Sequence, residues 1–238
     1  MRINDTGGGT PLSGIRLYIG VPTRDQRCFV EFAGSLAETM TKLVILGAEV
    51  RVQEHHNSCF PDVARNQIVN GFMESGCTHL LMIDDDMGWT PDSVTQMLLK
   101  DKEFIAGAGP FKKDDLEFAV TFVDGQKDGL LMAEKVGGAF TIHKRVVFER
   151  MMEKYPDLVC LSHGPTYGYS FYDSKHTTNE WISEDYMFCR RWLGIGGEIF
   201  IYPDIGFTHH GYKIWKGHLS KEIEKHIPNE QLKQLTGA

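Results

Sequence analysis

The sequence contains no long hydrophobic run and no excess of positive charge. None of its apolar stretches approaches the roughly 20 residues that a membrane-spanning helix needs. The formal net charge of −7 argues against a nucleic-acid partner, because proteins that bind nucleic acid neutralise its phosphates with lysine and arginine. An anionic small ligand is still compatible, since a bound divalent cation supplies positive charge locally. We therefore expect no membrane span and no nucleic-acid partner.

The cysteines follow no paired pattern. The five cysteines are odd in number and include no C-x-x-C, which indicates reduced thiols in a cytosolic setting. Residues 1–14 are polar and rich in glycine, so they predict a flexible leader and not a signal peptide. The expected location is the cytoplasm, either of a bacterium or, for a viral protein, of its host.

Several signatures of nucleotide and metal enzymes are missing as well. The sequence has no zinc-binding pattern, no Walker loop and no nucleotide-binding GxGxxG. The glycines at 7–9 precede the first predicted strand, which is the wrong place for a phosphate-binding loop. With no repeat and no linker, 238 residues fit one α/β domain. We place this domain at 15–218, followed by a polar tail at 219–238.

Hydrophobic periodicity predicts alternating strands and helices in the first hundred residues. Strands are expected at 15–21, around 50–52 and at 79–83. Helices are expected at about 29–44, from 61 onward, and from about 90 to about 100, with Thr90 as the N-cap of the last. In the second half, strands at 118–123 and 130–136 flank turn signals at 124–125 and 128–129, and helices follow at about 144–155 and from the cap Ser183 to before 194. The pattern predicts the α/β class, with a mixed and mostly parallel sheet that has helices on both faces.

Three adjacent carboxylates, Asp84, Asp85 and Asp86, directly follow the apolar strand predicted at 79–83. Adjacent carboxylates repel one another, which raises the pKa of each, and a divalent cation would remove that repulsion. Strand alternation would place Asp84 and Asp86 on one side and Asp85 on the other. Two oxygen donors on one side suit Mg²⁺ or Mn²⁺. The alternative is an acidic, solvated loop after a core strand.

Two further segments carry residues that fit the same chemistry. One of the neighbouring histidines His209 and His210 can complete a metal site through a neutral imidazole, although such a pair is also common in structural roles. Glu184 and Asp185 begin a predicted helix, where a carboxylate can serve as a general base or simply stabilise the helix dipole. Arg65, on the second predicted helix, can bind a phosphate or orient a carboxylate, or form a surface salt bridge.

The order of these segments resembles that of the GT-A glycosyltransferases over residues 15–217. The acidic triplet matches the D-x-D motif of that family. The other matching segments are Pro22 and Thr23 after the first strand, Arg65 on the second helix, Gly138 in a glycine-containing loop, Glu184 and Asp185 at a helix start, and His209 followed by Gly211. D-x-D is weak evidence by itself, and the ordered set is considerably more specific.

This resemblance implies a single GT-A domain, which is a Rossmann-like, nucleotide-diphospho-sugar transferase fold. It implies a metal site for Mn²⁺ or Mg²⁺ formed by Asp84, Asp86 and His209, in which Asp86 binds the metal directly and His210 competes with His209. Asp84 would contact the donor's ribose or a metal-bound water. The residues implied to bind the nucleotide-sugar are Pro22, Thr23, Arg65, Asp84, Asp85 and Gly138.

The implied activity is that of a hexosyltransferase-like glycosyltransferase. It would move a sugar from a nucleotide-sugar donor, with UDP as the usual nucleotide of the family, to a carbohydrate or glycan acceptor. An inverting enzyme needs a base at the acceptor hydroxyl, for which Asp185 is the first candidate and Glu184 the second; a retaining mechanism is left open. The aromatic stretch 164–181 is expected on the acceptor side, or else packed over the sheet.

Two other functions fit parts of the pattern. A nucleotidyltransferase shares the sheet type and the metal carboxylates but usually has a glycine-rich basic loop after the first strand, and residues 22–27 contain no glycine. A non-catalytic nucleotide-sugar-binding module would keep Asp86 without needing a base. Donor binding without turnover would distinguish such a module from an enzyme.

Overall fold

The computed structural model describes residues 10–24, 27–55, 59–161 and 167–225. The helices in these ranges are α1 (Val30–Ile45), α2 (Pro61–Ser75), α3 (Asp92–Leu99), α4 (Arg145–Lys154), α5 (Glu184–Gly194) and α6 (Leu219–Glu224), with a 3₁₀ turn at Pro156–Leu158. The strands are β1 (Arg16–Pro22), β2 (Glu49–His55), β3 (His79–Ile83), β4 (Met87–Trp89), β5 (Phe104–Ala106), β6 (Val120–Lys127), β7 (Leu130–Val136), β8 (Phe140–Lys144), β9 (Val159–Leu161), β10 (Tyr167–Tyr169), β11 (Lys175–His176), β12 (Trp181–Ile182), β13 (Phe200–Ile201), β14 (Gly206–His210) and β15 (Ile214–His218).

The central sheet has eight strands in the order β2-β1-β3-β8-β5-β13-β7-β6. β1 pairs in parallel with β2 and β3, and β5 pairs in parallel with β13. β8 is antiparallel to both of its neighbours, and so is β7. All strands except β7 and β8 therefore run in one direction. The predicted α/β class, with a mixed and mostly parallel sheet, is confirmed.

Both faces of this sheet are covered by helices, as the periodicity predicted. Alternation along β1 sends Leu17 and Ile19 into one core cluster and Tyr18 into another. The first cluster contains apolar residues of α1 and α3, and the second contains those of α2, α4 and α5. Leu17 and Ile19 are fully buried, and such burial stabilises the fold by about 1.5–3 kcal/mol for each side chain.

A smaller three-stranded sheet, ordered β15-β14-β4, adjoins the carboxyl end of β3. Its strand β4 begins at Met87, immediately after the acidic triplet, and Met87 lies opposite His209 in the antiparallel pairing with β14. The N–H of His210 also donates to the carbonyl of Asp86 at 2.8 Å. This sheet therefore brings the late histidines beside the triplet.

Two local predictions are corrected by the structure. β6 continues through the expected turn at 124–125 with an irregular register, and the chain turns at Asp128 and Gly129, which have φ of 56° and 72°. Thr90 does not cap α3; its hydroxyl instead accepts from the N–H of Gly206 at 3.1 Å. At Thr90 a tertiary contact outweighs the local capping signal, whereas at 124–125 the hairpin of β6 and β7 continues through a bulge to the turn at Asp128 and Gly129.

The expected leader is also corrected in its described part. Leu12 is buried in the core, and its N–H donates to the carbonyl of Leu46 at 3.0 Å. Leu12 therefore packs against the fold while residues 10, 11, 13 and 14 are exposed, and residues 1–9 lie outside the described residues. At the other end α6 begins at the buried Leu219, so the start of the expected polar tail is packed as well. No helix in the described ranges is long and apolar enough to cross a membrane.

Candidate functional site

The acidic triplet forms a turn between the two sheets. β3 ends at Ile83, and the N–H of Met87 closes the turn on the carbonyl of Asp84 at 3.2 Å. The carboxylate of Asp84 is bonded to Arg65, whereas Asp85 and Asp86 line a pocket together. Asp84 and Asp86 therefore have different partners, because the alternation of a strand does not continue through a turn; the grouping of Asp84 with Asp86 at a metal stays a prediction.

The pocket beside this turn has a volume of about 460 Å³. It lies at the carboxyl end of β3, where open α/β sheets bind their ligands. Its lining residues are Arg27, Cys28, Phe29, Asp85, Asp86, Lys112, His210 and Gly211. The predicted nucleotide residues Pro22 and Thr23 are not among them. Pro22 ends the neighbouring strand β1 and Thr23 follows it, and the Thr23 hydroxyl lies 3.5 Å from the carbonyl of Arg27.

Asp86 and His209 face each other next to this pocket. Nε2 of His209 lies 3.3 Å from Oδ1 of Asp86, and Nδ1 of His209 lies 2.8 Å from the carbonyl oxygen of Pro110. Since a carbonyl can only accept, Nδ1–H donates to Pro110, and Nε2 is the ring nitrogen directed at the carboxylate of Asp86. Oδ1 of Asp86 is buried and has no hydrogen-bond donor among the described residues.

This pair fits a divalent cation. Mg²⁺ and Mn²⁺ hold oxygen or nitrogen ligands at roughly 2.1 Å in an octahedron, which separates adjacent ligands by about 3 Å. A histidine ligand typically donates its other N–H to a backbone carbonyl, as His209 does to Pro110. Within the described ranges, no three His, Cys, Asp or Glu side chains converge as a metal group. The protein therefore offers two donors here and leaves the other positions to water or phosphate.

The ionisation of Asp86 is governed by its neighbours. Burial raises the pKa of Asp86, but contacts with His209 and Lys112 lower it more, so the net shift is below the ordinary value. Nζ of Lys112 donates to Oδ2 of Asp86 at 2.5 Å. Asp86 is therefore charged near neutral pH, which is the state that binds a cation.

His210 has a different environment from His209. Its side chain is buried, Nε2 lies 2.9 Å from the hydroxyl of Thr208, and its ring packs on Phe29 with centroids 5.0 Å apart. The ring reaches the pocket wall, but its nitrogens are directed at Thr208 and, at 3.8 Å, at Glu31. The contact with Asp86 is made by the ring of His209.

Arg65 is buried and joins three segments of the site. Its guanidinium donates to Asp84 at 2.9 and 3.2 Å, to the carbonyl of Gly138 at 3.0 Å and to Glu184 at 3.4 Å. Burial lowers the pKa of Arg65, but the negative charges of Asp84 and Glu184 raise it further than burial lowers it. A Cβ at Gly138 would lie 3.0 Å from the guanidinium carbon, so glycine permits this close approach. The surface salt bridge considered for Arg65 is thus replaced by a buried one.

The carboxylates at the start of α5 lie on the far side of Arg65. Asp185 accepts hydrogen bonds from the N–H groups of Gly138 at 3.1 Å and Tyr186 at 2.8 Å, and from the hydroxyl of Ser183. Burial and the adjacent charge of Asp185 raise the pKa of Glu184. Asp185 is therefore held in a fixed orientation by three donors, while Glu184 makes a longer contact with Arg65.

The aromatic stretch expected on the acceptor side is divided by the fold. Phe171 and Tyr172 are buried in the core, and the side chain of Asn66 bonds the backbone of Tyr172 at 2.6 and 2.9 Å. Trp181 is 70% exposed and lines a small cavity of about 130 Å³ with Tyr186. Residues 162–166 lie outside the described residues. Packing thus accounts for Phe171 and Tyr172, whereas most of the described residues that follow them in the stretch are exposed.

Sequence reasoning missed Pro110 and Lys112. They contact His209 and Asp86 across 99 and 26 positions of the chain. No residue type or spacing in their segment signals such contacts, since a lysine in a loop is ordinarily solvated. Only the packing of the segment after β5 against β14 reveals them.

No protein-family model matches the chain, and no curated protein matches its sequence. Among solved structures, a STIV protein aligns with a TM-score of 0.49 and 14% identity, over 83% of this chain and 86% of that one. TarS of S. aureus in complex with UDP-GlcNAc gives 0.48 and 11%, over 93% of this chain and 64% of that one. A mutant Drosophila β-1,4-galactosyltransferase 7 in complex with manganese, UDP-Gal and xylobiose gives 0.45 and 13%, over 92% and 79%. These likenesses are too remote to carry a functional conclusion, which depends on the residues of the site.

Proposed function

We propose that the protein is a metal-dependent glycosyltransferase. It moves a sugar from a nucleotide-diphosphate sugar, with UDP as the first nucleotide to test, to a hydroxyl of a carbohydrate or glycan acceptor. The observation that carries the proposal is the pair formed by the buried, donor-free Oδ1 of Asp86 and the Nε2 of His209, 3.3 Å apart beside an open pocket. The ordered resemblance of the sequence to the GT-A enzymes supports the same assignment.

The donor side of the reaction is assigned to the pocket beside β3. Asp86 and His209 would hold Mn²⁺ or Mg²⁺, and a bound ion supplies a Lewis acid that stabilises charge on a leaving diphosphate. Lys112 and Arg27 line the same pocket and offer positive charge to the phosphates. Asp85 lies on the same wall, and Pro22 and Thr23 approach from the end of β1 to contact the nucleoside.

The acceptor side is assigned to the first turn of α5. Asp185 is the proposed base: the three donors that orient its carboxylate leave one lone-pair position for an acceptor hydroxyl, whose proton it would take as the new glycosidic bond forms in an inverting displacement. Arg65 links this turn to Asp84 and to the Gly138 loop. Glu184 then acts as a positioning residue through Arg65.

Titration calorimetry with UDP, GDP and CMP, each with and without Mn²⁺, tests the donor site. We expect one nucleotide to bind only when Mn²⁺ is present. Asp86→Asn keeps the size of the side chain but removes its charge, and should weaken that binding by roughly 10–100-fold, as loss of a metal-site group does. Asp92→Asn, which changes an exposed carboxylate on α3, is the matched control. Unchanged binding to Asp86→Asn would remove the metal site, and binding without any transfer would identify a non-catalytic module.

A further inference from the structure

Lys112 lies on the segment 110–118, which follows β5 and contacts both members of the Asp86–His209 pair. The carbonyl of Pro110 orients His209, and the ammonium group of Lys112 donates to Oδ2 of Asp86 at 2.5 Å. The two ends of the segment are held by the bridge between Pro110 and Phe118. Lys112 therefore reaches Asp86 through a long, flexible side chain, and the backbone segment that carries it is held at both ends.

The charges in the pocket give Lys112 a reason to exchange its partner Asp86 for another anion when ligands bind. Without a cation, Arg27 and Lys112 balance Asp85 and Asp86. A divalent ion between Asp86 and His209 would add two positive charges and repel the ammonium group from the same carboxylate. A nucleotide diphosphate would restore the balance and place phosphate oxygens within the same pocket. Lys112 thus has one anionic partner before the ligands bind and another afterwards.

We propose that Lys112 is an exchangeable cation in the donor site. It neutralises Asp86 while no metal is bound, and it transfers to the diphosphate when the metal and the nucleotide bind. The proposal depends on the proposed function, because it requires the metal and the diphosphate to share this pocket. It makes Lys112 a positioning residue that couples the binding of the two ligands.

The coupling has a measurable sign. Lys112→Met keeps the length of the side chain and removes its charge, so Mn²⁺ no longer displaces an ammonium group from Asp86, and the diphosphate loses a partner. We expect Mn²⁺ alone to bind roughly tenfold more tightly, and UDP to bind roughly tenfold more weakly to the Mn²⁺-saturated protein.

Titration calorimetry with Mn²⁺ alone, and then with UDP or GDP on the Mn²⁺-saturated protein, tests this for the wild type, Lys112→Met and Lys113→Met. Lys113 is the neighbouring exposed lysine, paired with Glu117 at 2.6 Å, and its variant should match the wild type in both titrations. If Lys112→Met binds both ligands more weakly, or either one unchanged, Lys112 only shapes the segment and the inference is overturned. If the wild type binds neither nucleotide with Mn²⁺, the proposed function fails, and this inference fails with it.

Discussion

At the scale of single residues, the two neighbouring histidines show how environment decides chemistry. His209 donates from Nδ1 to a backbone carbonyl and presents Nε2 to Asp86. His210 is packed on Phe29 and directed at Thr208. Both have the same ring, and the orientation of that ring distinguishes the proposed metal ligand His209 from His210, which packs on Phe29.

Substitution of each histidine by alanine should therefore give different defects. His209→Ala removes a metal donor, and we expect Mn²⁺ affinity to fall by roughly 10–100-fold with little loss of stability. His210→Ala leaves the Asp86 pair intact but empties a buried site, so it should lower the free energy of unfolding. Mn²⁺ titration and urea denaturation of both variants measure the two effects. The reverse result, with Mn²⁺ affinity lost only in His210→Ala, would move the ligand to His210.

Arg65 is the residue on which the middle of the site depends. Because it is buried between Asp84 and Glu184, Arg65→Met would leave two carboxylates without their cation and should destabilise the protein by about 3–5 kcal/mol. Urea denaturation measures this change. Arg190→Met, which breaks the exposed pair with Glu180, is the control and should leave stability nearly unchanged. Equal stability of the two variants would show that the buried pairs are not needed.

At the scale of elements, α5 orients its carboxylates through its first turn. Ser183 precedes the helix with an extended backbone, and its hydroxyl bonds Asp185 instead of capping an N–H group. The Asp185 side chain is consequently fixed between its own helix and the Gly138 loop. A functional carboxylate held by backbone donors is more precisely placed than one on a free loop.

Two isosteric substitutions in this turn separate its proposed roles. Asp185→Asn should leave Mn²⁺-dependent nucleotide binding unchanged and reduce the rate of sugar transfer by roughly 10²–10⁴-fold, because the base is lost. Glu184→Gln should have a smaller effect on the rate, since its contact is with Arg65. Nucleotide release from the nucleotide-sugar in the presence of an acceptor measures transfer. If only Glu184→Gln severely reduced the rate of sugar transfer, Glu184 and not Asp185 would be the base.

At the scale of the whole molecule, buried histidines make stability depend on pH. His143 is fully buried among aromatic rings, and neither ring nitrogen has a hydrogen-bond partner among the described residues. Burial, with a smaller contribution from the charge of Arg65, lowers the pKa of His143 to about 3. Burial and then the charge of Lys144 lower the pKa of His79 to about 4. Both histidines are therefore neutral in the folded protein at neutral pH.

The unfolded chain binds these protons at a pKa of about 6.5, so the folded state loses stability as the pH falls below that value. The expected slope is on the order of 1 kcal/mol per pH unit for each histidine, down to the folded pKa. His143→Leu removes one such group. The stability of this variant relative to the wild type should therefore increase as the pH falls from about 7 to about 5. Urea denaturation across this range, with the exposed His176→Leu as control, measures it. A difference that stays constant with pH would contradict the assignment.

Much of the architecture follows from local patterns in the sequence. Period-two and period-3.6 hydrophobicity predicted the layers of the sheet and its helices, because each element must bury one face. The helix predicted at about 144–155 is found at Arg145–Lys154, and the acidic triplet ends a buried strand as expected. Local signals failed in the leader near Leu12, where a contact with Leu46 competes with flexibility, and at the turn near Gly125, where β6 continues with an irregular register.

The residue types of the candidate site were thus determined by the sequence, and their grouping was decided by the tertiary structure. Asp84 and Asp86 are two positions apart, yet the turn after Ile83 gives one to Arg65 and the other to the pocket. Pro110 and Lys112 join the site through contacts across 99 and 26 positions. Sequence patterns report periodicity along one element, whereas these partners depend on how β4, β14 and the segment after β5 pack together. That packing is a property of the whole fold, and the sequence pattern of no single segment predicts it.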